Sequence, residues 1–114
     1  MIRPIPLPLL IHTVEYRECI GNGRYGETFA DPITIERVRL EPIASYRQKT
    51  GEREREKPNE SYVLFFDMTY SRPIVDFKEK SKVIFQGKEY SVIRVSKFYA
   101  FDGTTPHHIE VMLL

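Results

Sequence analysis

The sequence predicts an all-β fold: a small antiparallel β-barrel or compact sandwich of six to seven strands with one long polar loop. Three observations point to it. Apolar residues recur with the two-residue period of half-buried strands. Gly- and Pro-containing turn signals separate the short apolar runs. No persuasive run has helical period.

The elements follow in chain order. Pro4, Pro6 and Pro8 fix φ and remove backbone donors, so residues 1–9 read as an extended, polyproline-like arm. These prolines fall at every second position and miss the spacing of a PxxP ligand. From Leu10 to Ile20, Val14 and Tyr16 face one way and Thr13, Glu15 and Arg17 the other, as in a half-buried strand. "GNGRYG" then reads as a hairpin turn, because neither a Gly-Lys-Ser/Thr sequence nor a helical pattern follows to make it a phosphate cradle.

In "ITIERVRL", Ile33 and Ile35 share one face and Val38 and Leu40 the other, a phase change that predicts a β-bulge near Glu36–Arg37. In "YVLFFDMTY", Leu64, Phe66, Met68 and Tyr70 are expected to line a core while Asp67 and Thr69 face solvent. Val63 and Phe65 lie on the opposite face and ask for a second cover, for which a neighbouring subunit is a candidate. "SRPIVDFKEKS" is a proline-initiated connection with room for a short strand. "KVIFQGKEYSVIRV" is a hairpin turning at Gln86–Gly87. "HHIEVMLL" places Ile109, Val111 and Leu113 on one face of a docked terminal strand.

The stretch nearest to a helix, residues 44–57, contains Gly51, lacks an apolar stripe and is followed by Pro58. With no internal repeat and no linker, residues 1–114 read as a single domain, of ordinary size for one core.

Composition narrows the function. Seventeen Lys and Arg against sixteen Asp and Glu give a net charge of +1, too little for a global field that would hold nucleic acid or an acidic membrane. The single cysteine, Cys19, excludes an internal disulfide or a multi-cysteine metal site and suits a reducing cytoplasm. Beside Ile20 in a strand it reads as a small core residue, not a nucleophile. "MIRPIPLPLLIH" is apolar but proline-broken, and far shorter than the ~20 residues that span a bilayer, so neither an export signal nor a membrane span is expected.

Adjacent His107 and His108 raise a metal reading, with His12, Asp102 or Glu110 to complete the shell. Neighbouring strand residues point to opposite faces, so both imidazoles reach one metal only if a bulge or turn at Pro106 brings them together. A solvated strand start is expected instead, with no metal and no cofactor. The acidic residues are mostly interleaved with Lys and Arg, a pattern of charge pairing and not of a tuned carboxylate pair. No catalytic residue is assigned, and the chain is not expected to be an enzyme. A different class of function, binding of single-stranded nucleic acid on a small barrel, would use Tyr46, Tyr99 and Phe101, which sit among basic residues in "SYRQK" and "SKFYAF".

The long loop runs from Ser45 to Glu60. It holds Arg47, Lys49, Arg53, Arg55 and Lys57 against Glu52, Glu54, Glu56 and Glu60, so its charges nearly cancel. Closing a flexible loop of this length costs about 2.5 kcal/mol plus a constant. It is either a tolerated surface insertion or a segment that orders against a partner, and alternating charges suit copies of one loop meeting round a ring.

"LLIHTVEY", "RYGETFADPITIERVRLEP", "VLFFDMTYSRP", "DFKEKSKVIFQGKEYSVIRV" and "HHIEVMLL", taken together, resemble the minor capsid proteins of tailed phages and prophages. They are similar to the head-completion, or stopper, proteins of siphophage connectors. The resemblance covers nearly the whole chain and rests on strand pattern and phrases such as "IFQGKEYSV". It implies a small β-barrel in the virion, made in the bacterial cytoplasm and assembled as a ring beneath portal and adaptor, next to tail proteins. A long loop would project into the channel and retain packaged double-stranded DNA. By position, Ser45 to Glu60 would be that gate, its Arg and Lys near phosphate and its Glu limiting the attraction. Pro4, Pro6 and Pro8 of the arm, and Val63 and Phe65 of the third strand, are then the candidates for contacts between subunits.

Overall fold

The computed structural model describes residues 3–23, 26–43, 61–100 and 102–114. Eight strands are present among them: β1 (His12–Arg17), β2 (Cys19–Gly23), β3 (Gly26–Phe29), β4 (Ile33–Pro42), β5 (Tyr62–Asp67), β6 (Lys82–Phe85), β7 (Lys88–Tyr99) and β8 (Pro106–Leu113). Six of them close an antiparallel barrel in the order β1-β4-β5-β8-β7-β6, and β2 and β3 form a separate two-stranded hairpin. The ring is completed where Tyr16 of β1 pairs with Val83 of β6. Closure settles the choice between barrel and sandwich and leaves no unpaired strand edge on the barrel. Among the described residues no helix is long and apolar enough to cross a membrane.

The alternation read from the sequence points into this barrel. Val14, Tyr16, Ile35, Val38, Leu40, Leu64, Phe66, Val83, Val92, Ile109, Val111 and Leu113 are buried in one core. The expected bulge in β4 is present: Thr13 pairs with Glu36 and His12 with Val38, which leaves Arg37 as the extra residue, at φ 63°. That one-residue slip lets Ile35 and Val38 both face inward. The β6–β7 hairpin turns at Gln86 and Gly87 with φ 53° and 80°, the left-handed pair that a two-residue turn needs. The terminal strand β8 is docked between β5 and β7.

Two aromatic clusters pack toward the two ends of β5. Tyr62 at its start meets Phe85 and Tyr90, with ring centroids 6.0 and 5.3 Å away. Phe66 near its end meets Phe77, which also packs edge-on against Tyr16 at 5.0 Å. Phe77 comes from the connection after β5, so that segment, although it forms no strand beyond an isolated bridge between Glu36 and Arg72, supplies part of the core.

Three expectations are corrected. The third strand stops at Asp67, which is fully buried and not solvated, because its carboxylate accepts the backbone N–H groups of Thr69 and Tyr70 (2.9 and 3.0 Å) and caps the turn that follows. Met68 accordingly packs at the margin of the core and Tyr70 is half-buried in that turn. The run from Leu10 to Ile20 is two strands, since the chain leaves the barrel at Glu18 to build the side hairpin; Cys19 is therefore half-exposed and Ile20 exposed. The arm is extended only as far as Pro6 (φ −57°, ψ 132°). Leu7–Leu9 then close one 3-10 turn, which tolerates Pro8 because the first N–H groups of a helical turn need no partner within it.

Candidate functional site

Antiparallel register sets Val63 opposite Met112, Phe65 opposite Glu110 and Asp67 opposite His108. Leu64, Phe66, Ile109 and Val111 point into the barrel, so these six alternate residues form the outer face of β5 and β8. The N-terminal arm lies against one end of that face. Ile5 N–H donates to Asp67 Oδ1 (2.9 Å), the Arg39 guanidinium donates to the Leu9 carbonyl (3.2 Å), and His107 Nε2 lies 2.6 Å from the Arg3 carbonyl. Between arm and barrel is a cleft of about 240 Å³ lined by Ile5, Leu9, Arg39, Glu41, Phe65 and His108.

Of the predicted interface residues only Phe65 lines the cleft beneath the arm, whereas Val63 lies further along β5 beside Arg94 and Met112. Pro4 is half-buried and Pro6 and Pro8 are exposed, while Val63 and Phe65 are half-buried on the outer face. Phe65 lines the same cleft as Ile5 and Leu9 of the arm.

Asp67 is the keystone that sequence reasoning missed. One oxygen holds the arm and the other the turn, while its own N–H donates to Ser71 Oγ (2.9 Å). The Ser71 hydroxyl in turn donates to the carbonyl of Arg37, the bulge residue. A signal was available: Asp followed two positions later by Thr at a strand end is an Asx-turn pattern.

The bulge that would bring two adjacent histidines together is also present. Phe98 pairs with His108 and Tyr99 with Pro106, which skips His107. The imidazoles meet Nδ1 to Nδ1 at 2.8 Å, and His108 Nε2 lies 3.1 Å from Glu110 Oε2 while its ring stacks on Phe98 at 4.9 Å. Their nitrogens are engaged with one another and with protein groups. The other proposed ligands are elsewhere: His12 Nδ1 accepts Leu40 N–H (3.0 Å), and burial, then the nearby Arg39, lowers its pKa below the usual 6.5. The Thr105 hydroxyl, then the backbone N–H groups of Thr105 and Thr104, hold Asp102 down at about 2. Among the described residues no group of three or more His, Cys, Asp or Glu is placed to hold a metal.

Beside the histidines, a second cleft of about 440 Å³ is lined by Met68, Ile74, Phe98, Tyr99 and Lys97, among others. Tyr99 is half-exposed; Tyr46 and Phe101 lie outside the described residues. So do all the loop candidates, Arg47, Lys49, Glu52, Arg53, Glu54, Arg55, Glu56 and Lys57. What flanks them is clear: Pro42 pairs with Tyr62, and Ile43 N–H donates to the Ser61 carbonyl at 2.9 Å. The insertion therefore leaves and rejoins the barrel at one point, at the Tyr62 end of β5, while the arm sits at the Asp67 end.

These features define a class: a small closed β-barrel whose described polar side chains mostly fix turns and hold an arm on the outer wall. Residues 6–113 match the minor capsid protein family, and the chain belongs to that family of phage structural proteins. No curated protein and no solved structure matches it. Membership gives the chain a structural role in the phage particle, assembled in the virion with other structural proteins.

Proposed function

We propose that the chain is a subunit of the phage head–tail connector, of the head-completion or stopper kind. It forms a ring below the portal, contacts adaptor and tail proteins, and helps close the DNA channel with residues 45–60. One observation carries the reading: a capsid-family barrel clamps both ends of a charged insertion at a single point, through the Pro42–Tyr62 pair and the Ile43–Ser61 hydrogen bond. The β4–β5 ladder holds those ends together, so the barrel offsets the entropy of loop closure.

In this reading Arg47, Lys49, Arg53, Arg55 and Lys57 meet DNA phosphate without reading sequence. Glu52, Glu54 and Glu56 weaken that attraction enough for the genome to leave. Subunits meet through the arm, with Pro4, Pro6 and Pro8, and through the outer face carrying Val63 and Phe65; exposed Leu7, Leu9 and Ile11 add apolar surface beside it. Virions in which residues 45–60 are replaced by a short glycine turn should assemble but lose packaged DNA, read as empty heads by electron microscopy. Normal retention and delivery of the genome would sink the gate. A monomer that never joins portal and adaptor in native mass spectrometry would sink the ring.

A second reading, binding of single-stranded nucleic acid, is favoured by Phe98 and Tyr99 sharing a cleft with Lys97. Oligonucleotide titration at two salt concentrations tests it. Absence of salt-dependent binding removes it.

A further inference from the structure

We propose that the apolar shoulder formed by residues 6–11 of one copy seats in the cleft beside Phe98 and Tyr99 of the next copy, a head-to-tail contact between two different surfaces. The contact rests on the ring of subunits proposed above and names the surfaces that meet in it.

The shoulder is convex and uncovered. Leu7–Leu9 close a 3-10 turn in which no residue is buried. Leu7, Leu9 and, just beyond the turn, Ile11 are 42%, 45% and 64% exposed, and Pro6 and Pro8 are exposed beside them; only Leu10 turns inward. A contiguous apolar patch without a charge marks a contact surface far better than scattered exposed residues do. The turn is also held firmly in place. Leu9 N–H and Leu10 N–H donate to the Pro6 and Leu7 carbonyls (2.9 and 3.0 Å), and the Arg39 guanidinium donates to the Leu9 carbonyl (3.2 Å). A knob ordered in advance loses little entropy when it docks.

The cleft has the matching shape and chemistry. At about 440 Å³ it takes in Ile74 from the connection after β5, Phe98 and Tyr99 from β7, and Pro106 and Ile109 from β8. Ile74, Phe98 and Tyr99 are about half-exposed, so the cleft too is apolar surface left in water. Among its described lining residues Asp76 and Lys97 carry opposite charges, and the ring nitrogens of His108 are engaged with His107 and Glu110. One acid against one base leaves no net charge to draw an ionic ligand, and an uncharged occupant suits it.

Topology makes that occupant a second copy. Arg39 fixes Leu9 over β4, whereas Phe98 and Tyr99 stand on β7, three strands away in either direction round the six-strand barrel. Three strand spacings amount to about 14 Å, so the shoulder does not fill the cleft of its own chain. Two complementary surfaces that face different ways on one molecule give a heterologous contact, which generates a ring when the rotation between copies closes. Each patch covers on the order of a few hundred Å², below the roughly 800 Å² per partner of a stable pair. The contact is therefore weak between two free copies and gains strength where the other connector proteins gather many copies into a ring.

Disulfide trapping in assembled particles tests the contact. In a Cys19→Ser background, the full chain carrying both Leu9→Cys and Tyr99→Cys should form, under mild oxidation, a ladder of two, three and more linked chains. A bond within one chain is excluded, because a disulfide spans Cα atoms no more than about 7 Å apart. Each single variant should stay unlinked; dimers of Leu9→Cys alone or of Tyr99→Cys alone would mean that like surfaces meet, and would overturn the proposal. Amine-reactive cross-linking of the same particles reports whether copies are neighbours at all. A ladder from the amine reagent with none from the cysteine pair would overturn the contact and spare the ring, while no ladder from either would remove both. A disulfide from Tyr99→Cys to another virion protein would give the cleft to a foreign partner and equally refute the contact. Tyr99→Asp, with its melting temperature unchanged, should lower incorporation into particles roughly ten-fold, the ratio for one lost anchor, and unchanged incorporation would also overturn it.

Discussion

The interior of the barrel and the seat of the arm lie on opposite faces of the same two strands, β5 and β8, one residue out of phase. Inside, Leu64, Phe66, Ile109 and Val111 meet apolar neighbours, and their contribution grows with the area removed from water and does not depend on protonation. Outside, Asp67, His108 and Glu110 stand at the alternate positions, and the arm is held by a few directional bonds to its backbone. Closure makes the barrel cooperative, because each strand is paired on both sides. The arm is joined to that system by bonds from Asp67, Arg39 and His107. Strands can thus carry a packed apolar wall on one face and a contact made of a few directional bonds on the other.

Four perturbations break or sharpen this contrast. The largest effect is expected for Phe66→Ala, which empties a fully buried site between Phe77 and the β4–β8 core. It should cost about 3–5 kcal/mol in urea unfolding while leaving the bond from Ile5 to Asp67 in place. Asp67→Ala should damage both regions at once, since it strands the N–H groups of Thr69 and Tyr70 along with that of Ile5. A loss of about 2–3 kcal/mol, accompanied by exchange of Ile5 at nearly its free rate, would mark Asp67 as the link. Gly87→Ala confines the damage to one turn: at φ 80° it should cost about 1 kcal/mol by thermal unfolding and leave the arm unaffected.

The smallest effect is the acid response of His12. In the unfolded chain it titrates near 6.5, and in the barrel burial and Arg39 depress that value. Between the two values the unfolded chain binds more protons. The stabilising contribution is therefore complete above 6.5 and is lost as pH falls through the folded value. His12→Gln should flatten that part of the stability–pH curve. Acid thus weakens the wall at His12.

Much of the fold was legible because its signals are local. The phase change in "ITIERVRL" marked the bulge at Arg37, Gln86–Gly87 marked the hairpin, and the alternation of Ile109, Val111 and Leu113 marked the inward face of β8. Where the chain changes direction the same reasoning failed. Asp67 continued the alternation on paper but ends the strand as a turn cap, and Cys19 continued an apolar run that the structure divides at Glu18. The histidine junction was legible only as a condition, a bulge near Pro106, and its meeting with Arg3 joins residues from the two ends of the chain.

By itself the sequence determined most of the barrel strands and their inward residues, the bulge at Arg37, the turn at Gln86–Gly87 and the family phrases, because a two-residue period and a left-handed turn are properties of neighbouring residues. Only the tertiary structure decided that the sheet closes, that Asp67 is buried and that two adjacent imidazoles share a bond beneath the arm. The physical reason is that alternation states which side of a strand a residue occupies, whereas what lies against that side depends on segments tens of residues away.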